Sequence, residues 1–139
     1  MTATCPQLER FLRGEVELAA FPHREHVRMG FELLRRHDFA AAALHYSRAL
    51  QAMTAKAGKP QAFHQTITLA FLSLIAERLD CARFGDFDSF ACANADLLEK
   101  SALSRWYRSE RLASEAARRT FLLPDAGIPD GRAATARSG

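Results

Sequence analysis

Apolar residues recur every three or four positions along most of this chain, and each such stretch ends at a proline, a glycine or a helix-capping residue. This spacing places apolar side chains on one face of an α-helix, whereas a half-buried β-strand would need strict alternation. Between Pro22 and Arg36, for example, Val27, Phe31 and Leu34 share one face. The pattern predicts an all-α fold, a single compact bundle of five or six helices.

The same punctuation predicts where the helices begin and end. Pro22 stops the first helix and opens the second, and Asp38 is expected to cap the start of the third. Gly58 suits a left-handed residue at the end of that third helix, and Pro60 follows it. We expect helices over about 6–19, 22–36, 39–57, 60–75, 90–98 and 101–121.

The length of the chain, 139 residues, suffices for one core but not for two ordinary domains. We expect one bundle domain over residues 1–125. Residues 126–139 offer almost nothing to bury, so we expect a disordered tail there. No apolar run approaches the roughly 20 residues that span a bilayer, and the first residues do not resemble a signal peptide. These features favour a cytoplasmic protein without membrane association.

The charge pattern argues against nucleic acid as a partner. The net charge is only +3, and arginines near the end of the chain are interleaved with acidic residues, as in 105–111 (RWYRSER). Such mixing is typical of a solvated helix face rather than a phosphate-binding stripe. The three cysteines form no C-x-x-C pair, which favours reduced thiols over a disulfide framework or a cysteine-based zinc site.

Three of the five histidines are predicted to meet at one end of the bundle. His23 and His26 lie three residues apart in the first turn of the second helix, and His64 lies in the first turn of the fourth. Short connections make successive helices antiparallel, so the second and fourth helices should run parallel and begin at the same end. Each histidine also starts an apolar stripe, which predicts that all three point inward.

Such a cluster would suit a metal ion. Neutral imidazole is the commonest protein ligand for transition metals, and three imidazole nitrogens with one open position form a catalytic zinc site. We therefore expect His23, His26 and His64 to bind a divalent transition metal, with Glu17 as a supporting carboxylate. Zinc, iron and copper remain alternatives, because imidazoles alone do not separate them. A metalloenzyme acting on a small molecule is one function that would follow.

Two other interpretations of the same residues stay open. The helix N-termini, with Arg24 beside them, could bind the carboxylate or phosphate of a small ligand, which would make the protein a non-enzymatic binding module. The histidines could also be structural, paired with the backbone or with Thr66 and Thr68.

A third interpretation is a surface for a partner protein. Residues 30–50 fall close to the small and large positions of a tetratricopeptide repeat, a helical hairpin that binds proteins in arrays. No second repeat follows, since Asp80 occupies the next aromatic position. We interpret this segment as an ordinary helical hairpin and keep a partner protein, or a second copy of the chain, as an alternative partner.

Four segments together resemble a family of small, functionally uncharacterised bacterial helical proteins. They are 21–27 (FPHREHV), 63–68 (FHQTIT), 107–112 (YRSERL) and 117–125 (ARRTFLLPD), within a resemblance that covers roughly 11–125. The family pattern reads aromatic-x-H-x-x-H-aliphatic, aromatic-H-x-T-[IL]-T and A-R-x-x-[FW]-x-x-P-D. The resemblance implies a shared pocket built from the matching positions: His23, His26, His64, Thr66, Thr68 and Arg118. Gln65 departs from it, because the family often has glutamate directly after the third histidine.

Deleting residues 126–139 should leave the melting temperature of the protein nearly unchanged, because this segment carries little apolar surface to bury. Thermal unfolding followed by circular dichroism, for the full chain and the truncated one, would measure this. A large fall in melting temperature would show that the segment is docked on the bundle.

Overall fold

Helices and the short segments that connect them make up the part of the chain that the structure describes. A computed structural model describes residues 5–126, and no β-strand occurs in that range. The α-helices are α1 (Pro6–Leu12), α2 (His23–Arg36), α3 (Phe39–Lys56), α4 (Gln65–Cys81), α5 (Phe87–Ala93), α6 (Ser109–Leu112) and α7 (Glu115–Arg119). Short 3₁₀-helices lie at Leu18–Ala20, Pro60–Ala62, Ala95–Leu98 and Lys100–Arg105. The all-α prediction is confirmed, although the helices between residues 5 and 126 are more numerous than the five or six expected. None of the helices between residues 5 and 126 has the length and apolarity to cross a membrane.

Helices α2 and α3 form where local signals predicted them. Pro22 lies immediately before α2 with extended backbone angles. The Asp38 side chain accepts a hydrogen bond from the Ala41 N–H at 2.9 Å and so caps α3. Gly58 follows α3 with a φ of 74°, the left-handed conformation that glycine adopts without strain. Each of these signals depends only on residues close in sequence.

The first and fourth helices are shorter at one end than expected. Helix α1 stops at Leu12, because Gly14 turns the chain with a φ of 74°. Helix α4 starts at Gln65 rather than at Pro60, and His64 precedes it as the N-cap residue. The His64 Nδ1 atom accepts the Ile67 N–H at 3.1 Å, so this histidine occupies the cap and not the first turn.

The single last helix that the sequence predicted over about 101–121 is not formed. The Arg108 N–H donates to the Asp125 carboxylate at 2.9 Å, and the Ala117 N–H donates to the Ser114 hydroxyl at 3.2 Å. In a continuous helix both N–H groups would donate to the carbonyl four residues earlier. The chain therefore breaks into one 3₁₀-helix and the short helices α6 and α7.

Helices α2 and α4 lie at the centre of the fold, since side chains from both belong to two buried clusters. One cluster joins them to α5 and the chain that follows it, and the other joins them to α1 and α3. On α2, Val27 and Phe31 belong to the first cluster and Leu33 to the second. A Cβ atom on Gly30 would come within 2.9 Å of the Ile75 side chain. Helices α2 and α4 therefore pack closely at Gly30.

The segment after α7 is extended and is held against the start of α4 by hydrogen bonds. The buried Thr66 hydroxyl donates to the Thr120 carbonyl at 2.7 Å and accepts the Leu122 N–H at 3.1 Å. The Tyr107 hydroxyl donates to the Leu122 carbonyl at 2.7 Å. Side chains thus satisfy backbone N–H and carbonyl groups of the extended segment that a neighbouring strand would satisfy in a sheet.

The expected disordered tail, residues 126–139, lies outside the described residues except for Ala126. The N–H groups of Asp125 and Ala126 donate to the Trp106 carbonyl at 3.0 and 2.8 Å. The bundle is therefore tied together as far as the predicted end of the domain.

Replacing Thr66 with valine should lower the free energy of unfolding by about 1–3 kcal/mol, because two backbone groups of the extended segment would lose their buried partner. Urea unfolding would measure this. Thr120→Val is the matched control, since Thr120 is exposed and lies in the same junction; it should change the free energy by less than about 0.5 kcal/mol. Equal losses in the two variants would contradict the role given to Thr66.

Candidate functional site

A pocket of about 370 Å³ opens between the first turns of α2 and α4 and the middle of α3. Its volume lies near the lower end of the range for small-molecule sites in proteins, about 300–1,000 Å³. Most of the wall is apolar and comes from helices and 3₁₀-helices that are far apart in sequence. The apolar lining residues are Leu18, Phe21, Pro22, Val27, Leu50, Ala62, Phe63, Ile67 and Phe71.

The three histidines that the sequence singled out all line this pocket. His23 and His26 come from the first turn of α2, and His64 comes from the N-cap of α4. The starts of α2 and α4 therefore lie at the same end of the bundle. The His23 and His26 ring centroids are 6.4 Å apart.

Both ring nitrogens of His64 are already used within the protein. Nδ1 accepts the Ile67 N–H at 3.1 Å, so the ring proton of the neutral form resides on Nε2. Nε2 donates that proton to the Leu112 carbonyl at 2.7 Å. The ring joins the start of α4 to the end of α6 and has no free lone pair for a ligand.

His23 is also anchored, but it keeps one nitrogen available. Nε2 donates to the Leu97 carbonyl at 2.9 Å, which leaves the lone pair of the neutral ring on Nδ1. The edge of the ring packs against Phe71, with centroids 4.7 Å apart. Burial lowers the pKa of His23 below its usual value, and the nearby positive charge of Lys100 acts in the same direction.

His26 is the more deeply buried of the pair. Burial, and to a smaller extent the neighbouring His23 and Lys100, lower its pKa to about 4, against a hydrogen bond with the backbone of Phe21 that raises it. The Phe21 ring packs on the imidazole at a centroid distance of 4.5 Å. At neutral pH His26 is therefore an uncharged part of the pocket wall.

No group of three or more His, Cys, Asp or Glu side chains between residues 5 and 126 has the arrangement of a metal site. A metal ion at the pocket would require His64 to give up the bond to Leu112 or the cap of α4. The binding of zinc, iron or copper by the three histidines stays a prediction.

Of the other residues predicted for the site, some line the pocket and others lie outside it. Thr68 lines the pocket, and its hydroxyl donates to the His64 carbonyl at 2.7 Å. Glu17 forms an ion pair with Lys56 at 3.1 Å and does not line the pocket. Arg24 also lies off the pocket lining, where its guanidinium group pairs with Asp88 at 3.2 Å.

Thr66 and Arg118 lie where the start of α4 meets residues 118–122 rather than in the pocket lining. Thr66 binds the extended segment after α7. The Arg118 guanidinium donates to the Gln61 carbonyl, in the 3₁₀-helix before α4. Gln65, where the family often has glutamate, donates to the Ser47 hydroxyl at 3.3 Å.

Sequence reasoning missed three polar residues of the pocket wall: Tyr46, Thr54 and Lys100. In the sequence Tyr46 fits the apolar stripe of α3, and this position predicts only a place in the core. In the structure its hydroxyl donates to the His26 carbonyl at 2.7 Å, and burial raises its pKa. Lys100 lies between the helices predicted over about 90–98 and 101–121, and no signal in the sequence places it near His23.

Comparison of the chain with protein-family models, with curated proteins and with solved structures finds no match. The resemblance to a family of uncharacterised bacterial helical proteins therefore stays a prediction.

Replacing His64 should distinguish a structural role from a metal-binding one. His64→Ala removes both the cap of α4 and the bond to Leu112, so we expect a loss of about 2 kcal/mol in unfolding free energy. His64→Asn restores a capping oxygen but does not restore the Leu112 bond, so about half of that loss should remain. Urea unfolding measures both, with the exposed His45→Ala as the matched control.

The metal content of tag-free protein, purified without chelators, completes this test. A three-histidine site predicts one metal ion per chain in the natural protein and much less in His64→Ala. Equal and negligible metal in both proteins would overturn the metal prediction. A fall in metal content without a fall in unfolding free energy would instead overturn the structural role of His64.

Proposed function

We propose that this protein binds a small organic molecule in the pocket between α2, α3 and α4. The observation that carries the proposal is a cavity of about 370 Å³ whose wall is mainly carbon. Pockets for small ligands combine such an apolar wall with a few convergent polar groups. A ligand that occupies the pocket would remove this carbon surface from water, which is the main driving force for binding apolar molecules.

Hydrogen bonds inside the protein occupy most of the polar protons of the wall. The hydroxyl of Tyr46 donates to the His26 carbonyl, and that of Thr54 donates to the Gln51 carbonyl at 3.0 Å. Thr68 and His64 also donate to backbone carbonyls. The wall therefore offers a ligand mostly apolar surface, which favours a molecule with an apolar body.

The lining supports an organic ligand better than a metal ion. It contains no aspartate, glutamate or cysteine, so no negative side chain would offset the charge of a divalent cation. Lys100 contributes positive charge, and it already disfavours protonation of His23 and His26. A metal ion would meet the same repulsion. The interpretation as a binding module therefore has more support than the interpretation as a metalloenzyme.

Octan-1-ol is a suitable first probe, because its chain is apolar and its head group is small and uncharged. Added to isotope-labelled protein, it should shift the amide NMR signals of pocket residues saturably, with a dissociation constant on the order of 0.1–1 mM. Leu18→Trp adds bulk to the pocket wall and should weaken binding at least about tenfold, or about 1.4 kcal/mol. Leu44→Trp makes the same change at an exposed site on α3 and should leave binding unchanged.

Two results would overturn the proposal. One is the absence of saturable shifts up to the solubility limit of octan-1-ol. The other is equal binding by the Leu18→Trp and Leu44→Trp variants, which would place the bound alcohol outside the pocket.

A further inference from the structure

We infer that the ligand of this pocket is an apolar organic acid with a hydroxyl group beside its acid group, and that this polar end binds at Lys100 and His23. The inference rests on the proposed function, because it assumes that the pocket binds a small organic molecule. It assigns a chemical class to that molecule and an orientation within the pocket.

The first support is the charge of the lining. Among its residues only Lys100 carries a formal charge at neutral pH, since both buried imidazoles of α2 are neutral there. Between residues 5 and 126 no acidic side chain forms an ion pair with Lys100. Glu99 acts on His23 but does not line the pocket. The pocket therefore favours an anion and disfavours a cation.

The second support is the position of Lys100. It begins the 3₁₀-helix Lys100–Arg105, three residues after Leu97, and the Leu97 carbonyl accepts the hydrogen bond from His23. That bond holds this part of the chain against the first turn of α2. Lys100, His23 and His26 all line the pocket, and the positive charge of Lys100 lowers the pKa of both imidazoles, which indicates that the three residues share one side of the pocket, called here its positive corner.

The third support is the hydrogen-bonding capacity left at that corner. His23 donates its only ring proton to Leu97, and its Nδ1 atom keeps a lone pair. A lone pair accepts a proton donor and repels a carboxylate oxygen. A ligand with both a carboxylate and a neighbouring hydroxyl matches both groups, since the carboxylate accepts a hydrogen bond from Lys100 and the hydroxyl donates one to His23 Nδ1.

The apolar lining of the pocket determines the chemistry of the other end of the ligand. The aromatic rings of Phe21, Phe63 and Phe71 and the side chains of Leu50 and Ile67 contribute apolar surface. A ligand with its acid group at Lys100 would extend an alkyl or aryl body along this surface. Each added methylene should then tighten binding about three- to fourfold until the pocket is filled.

The test compares 2-hydroxyoctanoate, octanoate and octan-1-ol by isothermal titration calorimetry at neutral pH. We expect 2-hydroxyoctanoate to bind tightest. Lys100→Gln should weaken 2-hydroxyoctanoate about five- to tenfold, the effect of losing one charge-assisted hydrogen bond, and should leave octan-1-ol unchanged. Lys59→Gln is the matched control, because Lys59 is exposed and does not line the pocket; less than a twofold change is expected.

The outcomes separate this inference from the proposed function. If octan-1-ol binds as tightly as both acids and Lys100→Gln changes nothing, the pocket binds organic molecules but the acid assignment is wrong. Equal binding of octanoate and 2-hydroxyoctanoate would overturn the hydroxyl bond to His23. If none of the three compounds binds, the proposed function itself fails. In the same titration with 2-hydroxyhexanoate, an affinity equal to that of 2-hydroxyoctanoate would place the acids on the surface rather than in the pocket.

Discussion

The two hydrogen bonds of the His64 ring are the constraint on which most of this structure depends. One bond caps α4 through the Ile67 N–H, and the other joins the same ring to the Leu112 carbonyl, 48 residues away. A neutral imidazole is suited to this position, because it combines one acceptor and one donor on opposite sides of a rigid ring. The ring fixes where the last third of the chain meets α4, and it also forms part of the pocket wall. A ligand that took either nitrogen of His64 would therefore disturb the fold as well as the pocket.

The residues around His64 give a structural account of a sequence pattern that first suggested a binding site. Thr66 binds the backbone of the extended segment after α7, and Arg118 binds the Gln61 carbonyl before α4. Asp125 accepts the Arg108 N–H and helps to end the 3₁₀-helix before α6. These side chains fall in two of the segments on which the predicted family resemblance rests, yet each of them binds the backbone of another part of the chain. They form a junction between the start of α4 and residues 118–125, and the pocket lies beside that junction.

What the sequence could predict follows from the range of the interactions involved. The Asp38 cap and the left-handed Gly58 depend on neighbours within four residues, and both were predicted correctly. The meeting of the histidines from α2 and α4 followed from the alternation of helices with short connections. By contrast, the bond from His23 to Leu97 spans 74 residues, and no periodicity in the sequence indicates it. The position of Lys100 depends on that bond, so the positive corner of the pocket could not be predicted.

The low pKa of His26, about 4, affects both the stability of the fold and the charge of the proposed site. Below the usual histidine pKa near 6.5, the unfolded chain binds a proton that the folded protein does not, so stability is lost as pH falls toward 4. Above that range the imidazole of His26 adds no charge, and the ammonium group of Lys100 is the charge that the pocket lining carries. A charged histidine beside Lys100 would bind anions more strongly but would discriminate less between them, since any negative group would satisfy it. A neutral imidazole accepts a hydrogen bond only from a correctly placed donor. In the proposed site, burial of these histidines would therefore weaken the binding of anions in general and favour ligands that carry a correctly placed hydrogen-bond donor.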